Sequence, residues 1–224
     1  DRLVNLEARM KAEIFGQDEA IHLLASSIKA RYLLGNEGTA VAGFLLGVTG
    51  SGKSELAKVL AKNLYGRKEA VGIFEMGRVQ HESDLNTILS PGKGIIGSDQ
   101  PGELEQFLIQ YPEGGVLLFD EMSNVGGGNM SLKQSVAKQF YTMIDEGYYK
   151  SPSGKKYSLH NHLIIFTGND GEEILKGLTS DSMLEETYNS VMKNPQFVKE
   201  LLSKAGFTDA FIGRLAFSHF MRPT

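Results

Sequence analysis

The sequence predicts an α/β fold, in which a five-stranded and mostly parallel sheet carries helices on both faces. Three observations support this prediction. Five short runs are predominantly apolar without a regular polar alternation, as expected of strands that are buried on both sides. Helical patterns separate most of these runs along the chain. A glycine-rich turn at 47–54 directly follows the first run and leads into a helix.

Apolar spacing and helix-stop residues place each element in order. The first two helices are expected over 2–13 and 18–34, and Gly35 ends the second. The third helix begins at Lys53 and ends at Gly66, with Leu56 and Leu60 on its apolar face. Strands are expected at 43–48, 71–75, 116–120, 163–167 and 215–220. The remaining helices are expected at 103–110, 131–146 and 181–205, the last broken at Pro195.

Composition narrows the functional classes. The formal net charge is −4, which argues against a general attraction to nucleic acid. The chain has no cysteine, so disulfides and thiolate metal sites are excluded. No apolar run approaches the roughly 18 residues of a membrane-spanning helix. We therefore expect a cytoplasmic protein without a membrane span, and the start at Asp1 indicates a piece of a longer protein.

The turn at 47–54 matches the phosphate-binding pattern G-x-x-x-x-G-K-[ST]. Backbone N–H groups of such a turn, together with the start of the next helix, point at one place and bind polyphosphate. Lys53 is expected to reach the β- and γ-phosphates, and the Ser54 hydroxyl to ligate Mg²⁺. The predicted cofactors are ATP and Mg²⁺, and the predicted phosphate-binding residues are Thr49, Gly50, Ser51, Gly52, Lys53, Ser54 and Glu55.

Two carboxylates follow the strand predicted at 116–120. Asp120 ends this strand and Glu121 comes directly after it. Ligands of open α/β sheets bind where the strands end, so both side chains are expected beside the phosphates. We expect Asp120 to hold the Mg²⁺ that Ser54 also contacts. Glu121 is expected to polarise the water that attacks the γ-phosphate.

Two further polar residues carry weaker signals. Asn169 follows the strand at 163–167 and could orient the attacking water, but from the residues alone a simple turn formed by Gly168 and Asn169 is the preferred interpretation. Arg214 precedes the last strand. A lone arginine is usually a solvated surface group, yet a position away from its own phosphate loop would suit an arginine finger for a neighbouring subunit.

The stretch 148–157 interleaves tyrosines and lysines around Pro152 and Gly154. This composition is typical of an exposed hairpin. Contact with a threaded polymer or a nucleic acid is the alternative interpretation. The five histidines do not form a convincing metal-binding pattern, because His160 and His162 flank a polar turn.

The order of motifs resembles the second AAA+ module of Clp-type unfoldases and disaggregases, including secretion-associated members. The matching segments are Ile-Phe-Gly-Gln-Asp-Glu-Ala-Ile at 14–21, the phosphate loop at 47–54, Phe-Asp-Glu at 119–121, Phe-Thr-Gly-Asn at 166–169 and Phe-Ile-Gly-Arg at 211–214. The resemblance covers nearly the whole chain. It identifies residues 1–224 as the large α/β subdomain of an AAA+ ATPase.

The resemblance also implies roles for residues that the chemistry alone left open. Ile14 and Phe15 would flank the adenine of ATP or ADP. Asn169 would be the sensor 1 residue, and Arg214 the arginine finger that acts on a neighbouring subunit. The family forms rings, normally hexamers, in which ATP hydrolysis pulls a polypeptide substrate through a central pore.

The chain departs from the family pattern in three places. The family's pore loop carries Gly-Tyr-Val-Gly, whereas this chain has Gly-Ile-Ile-Gly at 94–97, so Ile95 replaces the gripping aromatic. Residues around Arg214 also differ from the usual finger motif. The family continues beyond the position of Thr224 into a helical lid subdomain, which we expect to be absent. Weak nucleotide affinity and poor ring formation are therefore expected of this chain alone.

Three functions remain open from the sequence. The first is an ATP-hydrolysing module of a protein-remodelling motor. The second is a nucleotide-gated scaffold that assembles without threading, which the missing pore aromatic favours. The third is an AAA+ ATPase that handles DNA, which the net charge of −4 disfavours.

Overall fold

A computed structural model describes residues 2–35, 40–90, 94 and 99–223. Its centre is a five-stranded sheet with the order β2-β3-β6-β1-β7. The strands are β1 Val41–Leu46, β2 Val71–Glu75, β3 Val116–Asp120, β6 Leu163–Gly168 and β7 Phe217–Phe220. Every pairing within this sheet is parallel, which confirms the predicted fold class.

The strand order brings the predicted site segments to one edge of the sheet. Strand β1 pairs with β6 on one side and with β7 on the other. Strand β3 pairs with β2 and β6. Because all five strands run in the same direction, the loops that follow β1, β3 and β6 emerge together.

Ten helices accompany the sheet within the part of the chain that the structure describes. The longer ones are α1 Leu6–Glu13, α2 Asp18–Leu34, α3 Lys53–Tyr65, α5 Glu103–Gln110, α6 Met130–Glu146 and α9 Pro195–Lys204. The shorter ones are α4 Asn86–Leu89, α7 Glu172–Lys176, α8 Asp181–Thr187 and α10 Asp209–Arg214. No helix among the described residues is long and apolar enough to cross a bilayer.

The two faces of the sheet are covered by chemically different cores. Helices α1, α2 and α3 pack on one face with aliphatic side chains such as Leu24, Leu60 and Ile165. Helices α5, α6, α9 and α10 pack on the other face, where phenylalanines cluster among aliphatic side chains. Alternate residues of each strand point to opposite faces, so every central strand contributes to both cores. This explains why the central strands β1, β3 and β6 are apolar along most of their length.

The structure shifts some of the predicted boundaries. Strand β1 is Val41–Leu46 rather than 43–48, because the phosphate loop already begins at Gly47. The last strand is only Phe217–Phe220 rather than 215–220, because helix α10 ends at Arg214 and residues 215–216 connect it to the strand. Thr208 caps α10 by accepting the Phe211 N–H. The helix expected over 181–205 is interrupted by a π-helical turn, Tyr188–Met192, and begins anew at Pro195.

The stretch at 148–157 forms part of a hairpin. Strands β4 Tyr148–Lys150 and β5 Lys156–Ser158 pair antiparallel in a separate two-stranded sheet. The Tyr149 hydroxyl donates to the Leu89 carbonyl at 2.6 Å, and the Tyr157 hydroxyl donates to Glu105 at 2.7 Å. These bonds dock the hairpin onto α4 and α5. The predicted pore-loop residue Ile95 lies outside the described residues.

Candidate nucleotide site

The phosphate loop connects β1 to α3 at the carboxyl edge of the sheet. Gly50 and Gly52 have φ values of 81° and 88°, a left-handed conformation that favours glycine. The loop borders a cavity of about 310 Å³. The cavity is lined by Thr49, Gly50, Ser51, Gly52, Lys53, Ser54, Glu55, Asp120, Glu121, Thr167 and Asn169. All seven predicted phosphate-binding residues therefore lie in one concave site.

Lys53 lines this cavity and is held by three hydrogen bonds. Its Nζ donates to the carbonyl oxygens of Gly47 at 2.8 Å and Val48 at 3.2 Å, and to Asn169 Oδ1 at 3.0 Å. Burial lowers the pKa of Lys53, and nearby carboxylates, foremost Asp120, counteract part of this effect. The side chain is thus anchored by three acceptors in a partly desolvated position, where an anionic ligand would interact strongly with it.

The two acidic residues after β3 stand in different environments. Asp120 is half-buried at the end of the strand, and its Oδ1 accepts a hydrogen bond from Thr167 Oγ1 at 2.6 Å. Glu121 is exposed and has a left-handed backbone with φ 56°. The backbone N–H of Glu121 donates to the same Thr167 hydroxyl at 3.0 Å. One buried hydroxyl therefore holds the strand ending that carries both carboxylates.

The Glu121 side chain occupies space that is open because Gly77 has no side chain. A Cβ at position 77 would lie 2.3 Å from Glu121 Oε2, closer than atoms can approach. Any other residue at this position would push the carboxylate away. The absence of a side chain at Gly77 thus contributes to where the Glu121 carboxylate lies.

The oxygen donors in the cavity suit Mg²⁺. Asp120 supplies a carboxylate and Ser54 a hydroxyl, and both residues line the same space. Magnesium prefers hard oxygen ligands, usually one or two from the protein together with phosphate oxygens and water. These two residues fit that pattern once a polyphosphate is bound.

Asn169 forms a turn and also faces the cavity. Its side-chain oxygen accepts the Lys53 ammonium, so it faces the cavity. Its backbone carbonyl accepts the N–H of Glu172 at 3.0 Å, so it also forms the turn into α7. The amide group lies at the edge of the sheet where the phosphates are expected, and its water-orienting role stays a prediction.

Three predicted residues lie outside the cavity lining. Ile14 follows α1 and packs partly buried against the aliphatic core, whereas Phe15 is 83% exposed. Arg214 ends α10, where it pairs with Asp145 at 2.7 Å and lies over the Tyr141 ring. Their expected contacts with adenine and with a neighbouring subunit's nucleotide stay predictions.

The structure adds two residues to the site that sequence reasoning did not assign. Thr167 links Asp120 to the Glu121 backbone, and Glu172 accepts a hydrogen bond from the Thr49 N–H at 3.1 Å. The position of Thr167 at the end of an apolar strand could have suggested its role. Glu172 gave no separate signal, because acidic residues are common in the first turn of any helix.

Comparisons with known proteins agree with this geometry. The profile of the family described as AAA domain (Cdc48 subfamily) matches residues 40–217. The chain is 31% identical over 218 residues to chaperone protein ClpB 2 of Synechocystis sp., covering 95% of this chain and 24% of that protein. It is also 31% identical over 216 residues to chaperone protein ClpB 1 of Thermosynechococcus vestitus, covering 94% of this chain and 24% of that protein. The chain thus spans about a quarter of the length of these curated relatives.

Solved structures show the same fold. A closed-state cryo-EM reconstruction of Hsp104 with ATPγS and FITC casein superposes with a TM-score of 0.77 at 25% identity, covering 98% of this chain and 35% of that one. The Hsp104–ADP complex of S. cerevisiae gives a TM-score of 0.77 at 24% identity, covering 99% and 36%, and supports the fold alone. Together with the family profile, these likenesses show that the chain belongs to the AAA domain family of the Cdc48 subfamily, as a Clp-type AAA+ ATPase module.

Proposed function

We propose that this chain binds ATP with Mg²⁺ and hydrolyses it, as the large α/β subdomain of a ring-forming motor that remodels proteins. One observation carries the proposal. The phosphate loop, Lys53, the two carboxylates after β3 and Asn169 line a single cavity of about 310 Å³. Separate surface features would not converge in this way at the carboxyl edge of a parallel sheet.

Each residue of the cavity has a chemical task in this proposal. Loop amides and the start of α3 bind the phosphates, and Lys53 neutralises charge on the β- and γ-phosphates. Ser54 and Asp120 would hold Mg²⁺, which supplies further charge neutralisation when bound. Glu121 accepts a proton from the attacking water, and Asn169 orients that water.

Two roles depend on groups beyond this cavity. Arg214 is 43% exposed at the side chain and lies outside its own phosphate site, which supports an action on the nucleotide of a neighbouring subunit in a hexameric ring. The salt bridge to Asp145 would hold the guanidinium ready at that surface. Ile14 and Phe15 would flank the adenine, a role for which the exposure of Phe15 leaves room.

A polypeptide substrate is proposed from the relatives rather than from this chain. Two relatives are named as chaperones, and one solved Hsp104 structure contains FITC casein. A cytoplasmic location stays a prediction. The Gly-Ile-Ile-Gly sequence at 94–97 specifically favours a second candidate, a scaffold that hydrolyses ATP without threading a polypeptide.

The two candidates differ in what full-length protein does with a folded substrate. We would measure ATP turnover and the unfolding of a tagged fluorescent protein in the same reaction. Turnover with loss of substrate fluorescence supports the motor. Turnover without unfolding of any tagged substrate supports the scaffold. If the protein showed neither turnover nor unfolding, both candidates would be contradicted.

Substitution Glu121→Gln tests the catalytic assignment in the same protein. The amide keeps the shape of the side chain but cannot take up a proton, so turnover should fall by about 10²- to 10⁴-fold. Nucleotide affinity, measured by calorimetry, should stay within a few-fold of wild type. Near wild-type turnover would show that Glu121 is not the base. Glu173→Gln, on α7 and outside the cavity lining, removes the same charge and should leave turnover close to wild type as a control.

A further inference from the structure

A carboxylate is bonded to the phosphate loop itself. Glu172 Oε1 accepts a hydrogen bond from the backbone N–H of Thr49 at 3.1 Å. The Glu172 side chain is only 18% exposed and begins helix α7, directly after the turn that carries Asn169. The amides of this loop are expected to bind anionic phosphate, and the negatively charged Glu172 carboxylate lies next to them.

Glu172 is negatively charged at neutral pH. The hydrogen bond from the Thr49 amide is the main reason that the pKa of this carboxyl lies below its usual range. Lys176, one turn later on α7, places its Nζ 3.6 Å from the other carboxylate oxygen. That ammonium is largely exposed, so water and salt screen its charge and it offsets the carboxylate only in part.

The carboxylate lies beside residues that are expected to bind phosphate. Lys53 of a phosphate loop reaches the β- and γ-phosphates, and here its Nζ is bonded to Asn169. Glu172 is bonded through its own N–H to the Asn169 carbonyl, and its charge acts on Lys53. The negative charge of Glu172 therefore acts on the residues that bind the phosphates, and it disfavours ATP more than ADP because ATP carries more negative charge.

We propose that Glu172 sets the preference of this site between ATP and ADP. Its carboxylate tethers the phosphate loop through Thr49 and at the same time repels the additional charge of a triphosphate. The binding of ATP is thereby weakened relative to the binding of ADP. This inference depends on the proposed nucleotide binding and adds a specificity-determining residue to it.

Charge and tether can be separated by substitution. The amide introduced by Glu172→Gln keeps an oxygen that accepts the Thr49 N–H but carries no charge, so this variant isolates the electrostatic effect. Glu173 follows Glu172 on α7 and is exposed to solvent. Glu173→Gln changes the net charge equally and serves as the matched control.

The experiment measures dissociation constants for ATPγS and ADP by calorimetry in Mg²⁺ buffer at low ionic strength, using full-length protein. In Glu172→Gln the affinity for ATPγS relative to ADP should rise about fivefold, the size expected of one partly screened unit charge. High salt should reduce this difference to less than twofold. Glu173→Gln should leave the ratio within twofold of wild type.

Two results would overturn the inference. An unchanged ATPγS-to-ADP ratio in Glu172→Gln would show that the carboxylate acts only as a tether. A fall in the ratio would show that Glu172 supports the triphosphate. If wild-type protein bound neither nucleotide, the proposed function itself would fail, and the inference with it.

Discussion

The interior of the sheet and its carboxyl edge differ in the chemistry of their side chains, although the residues concerned are adjacent in the strands. In β3 and β6, Phe119 and Phe166 are fully buried and their ring centroids lie 5.6 Å apart. The next residues of the same strands, Asp120 and Thr167, are joined by a hydrogen bond of 2.6 Å. The comparison shows that apolar packing fixes the strands, and that the fixed strands then position the polar groups.

Different forces therefore hold the two regions. The interior depends on burial and on ring contacts, which tolerate no cavity but need no exact polar geometry. The edge depends on directional hydrogen bonds and on charge in a partly desolvated site. Substitutions in the interior should change stability, and substitutions at the edge should change chemistry.

The largest effect at the edge is expected from Lys53→Ala. Removing the ammonium that three oxygen atoms hold in the cavity should abolish binding of an ATP analogue, measured by calorimetry. Thermal stability should change little, because the cost of desolvating the buried ammonium offsets what its three hydrogen bonds contribute. Lys58→Ala, on an exposed face of the same helix, is the control and should bind normally. Unchanged affinity in Lys53→Ala would refute the phosphate-loop assignment.

The largest effect in the interior is expected from Phe166→Ala. This side chain packs against the rings of Phe44, Phe119, Phe140 and Phe211. Truncation should lower the free energy of unfolding by about 3–5 kcal/mol, measured in denaturant. Ile165→Val, on the opposite face of the same strand, should cost only about 0.5–1.5 kcal/mol. Under conditions in which Phe166→Ala is still folded, its nucleotide affinity should stay close to wild type. A large loss of affinity would contradict the view that interior substitutions change stability and edge substitutions change chemistry.

Thr167→Val tests the boundary between the two regions. Valine fills the same volume, but it cannot bond Asp120 or accept the Glu121 N–H. We expect ATP turnover to fall about tenfold, and stability to fall by about 1–3 kcal/mol because a partner is lost. Thr167→Ser retains the hydroxyl and should restore most of the turnover. Wild-type turnover in the valine variant would show that the hydroxyl does not position the carboxylates.

Much of the fold could be predicted because apolar runs and glycine turns are local signals. The alternation of strands and helices gave the parallel sheet, and the phosphate-loop pattern placed residues 47–54 at its edge. The predicted boundaries of β1 and β7 were wrong, because apolar residues also lie next to the ends of these strands. The sequence cannot show that Thr208 caps a helix so close to the last strand.

The site could be predicted only where a residue type implies one chemistry. Lys53, Asp120 and Glu121 follow from their motifs, and the structure brings all three into one cavity. Thr167 and Glu172 act through contacts between segments that are 46 and 123 residues apart. Such long-range contacts leave no local pattern, so they appear only once the strands are ordered.

The left-handed backbone at Glu121 lowers the stability of the fold at a position whose carboxylate is needed for the proposed activity. A non-glycine residue with φ 56° costs roughly 1–2 kcal/mol, which a glycine would recover. Screening a library of variants for heat resistance alone would thus favour loss of the carboxylate and yield a sturdier but inactive protein. Stabilising substitutions should therefore leave Glu121 unchanged and be placed in the two apolar cores on either side of the sheet.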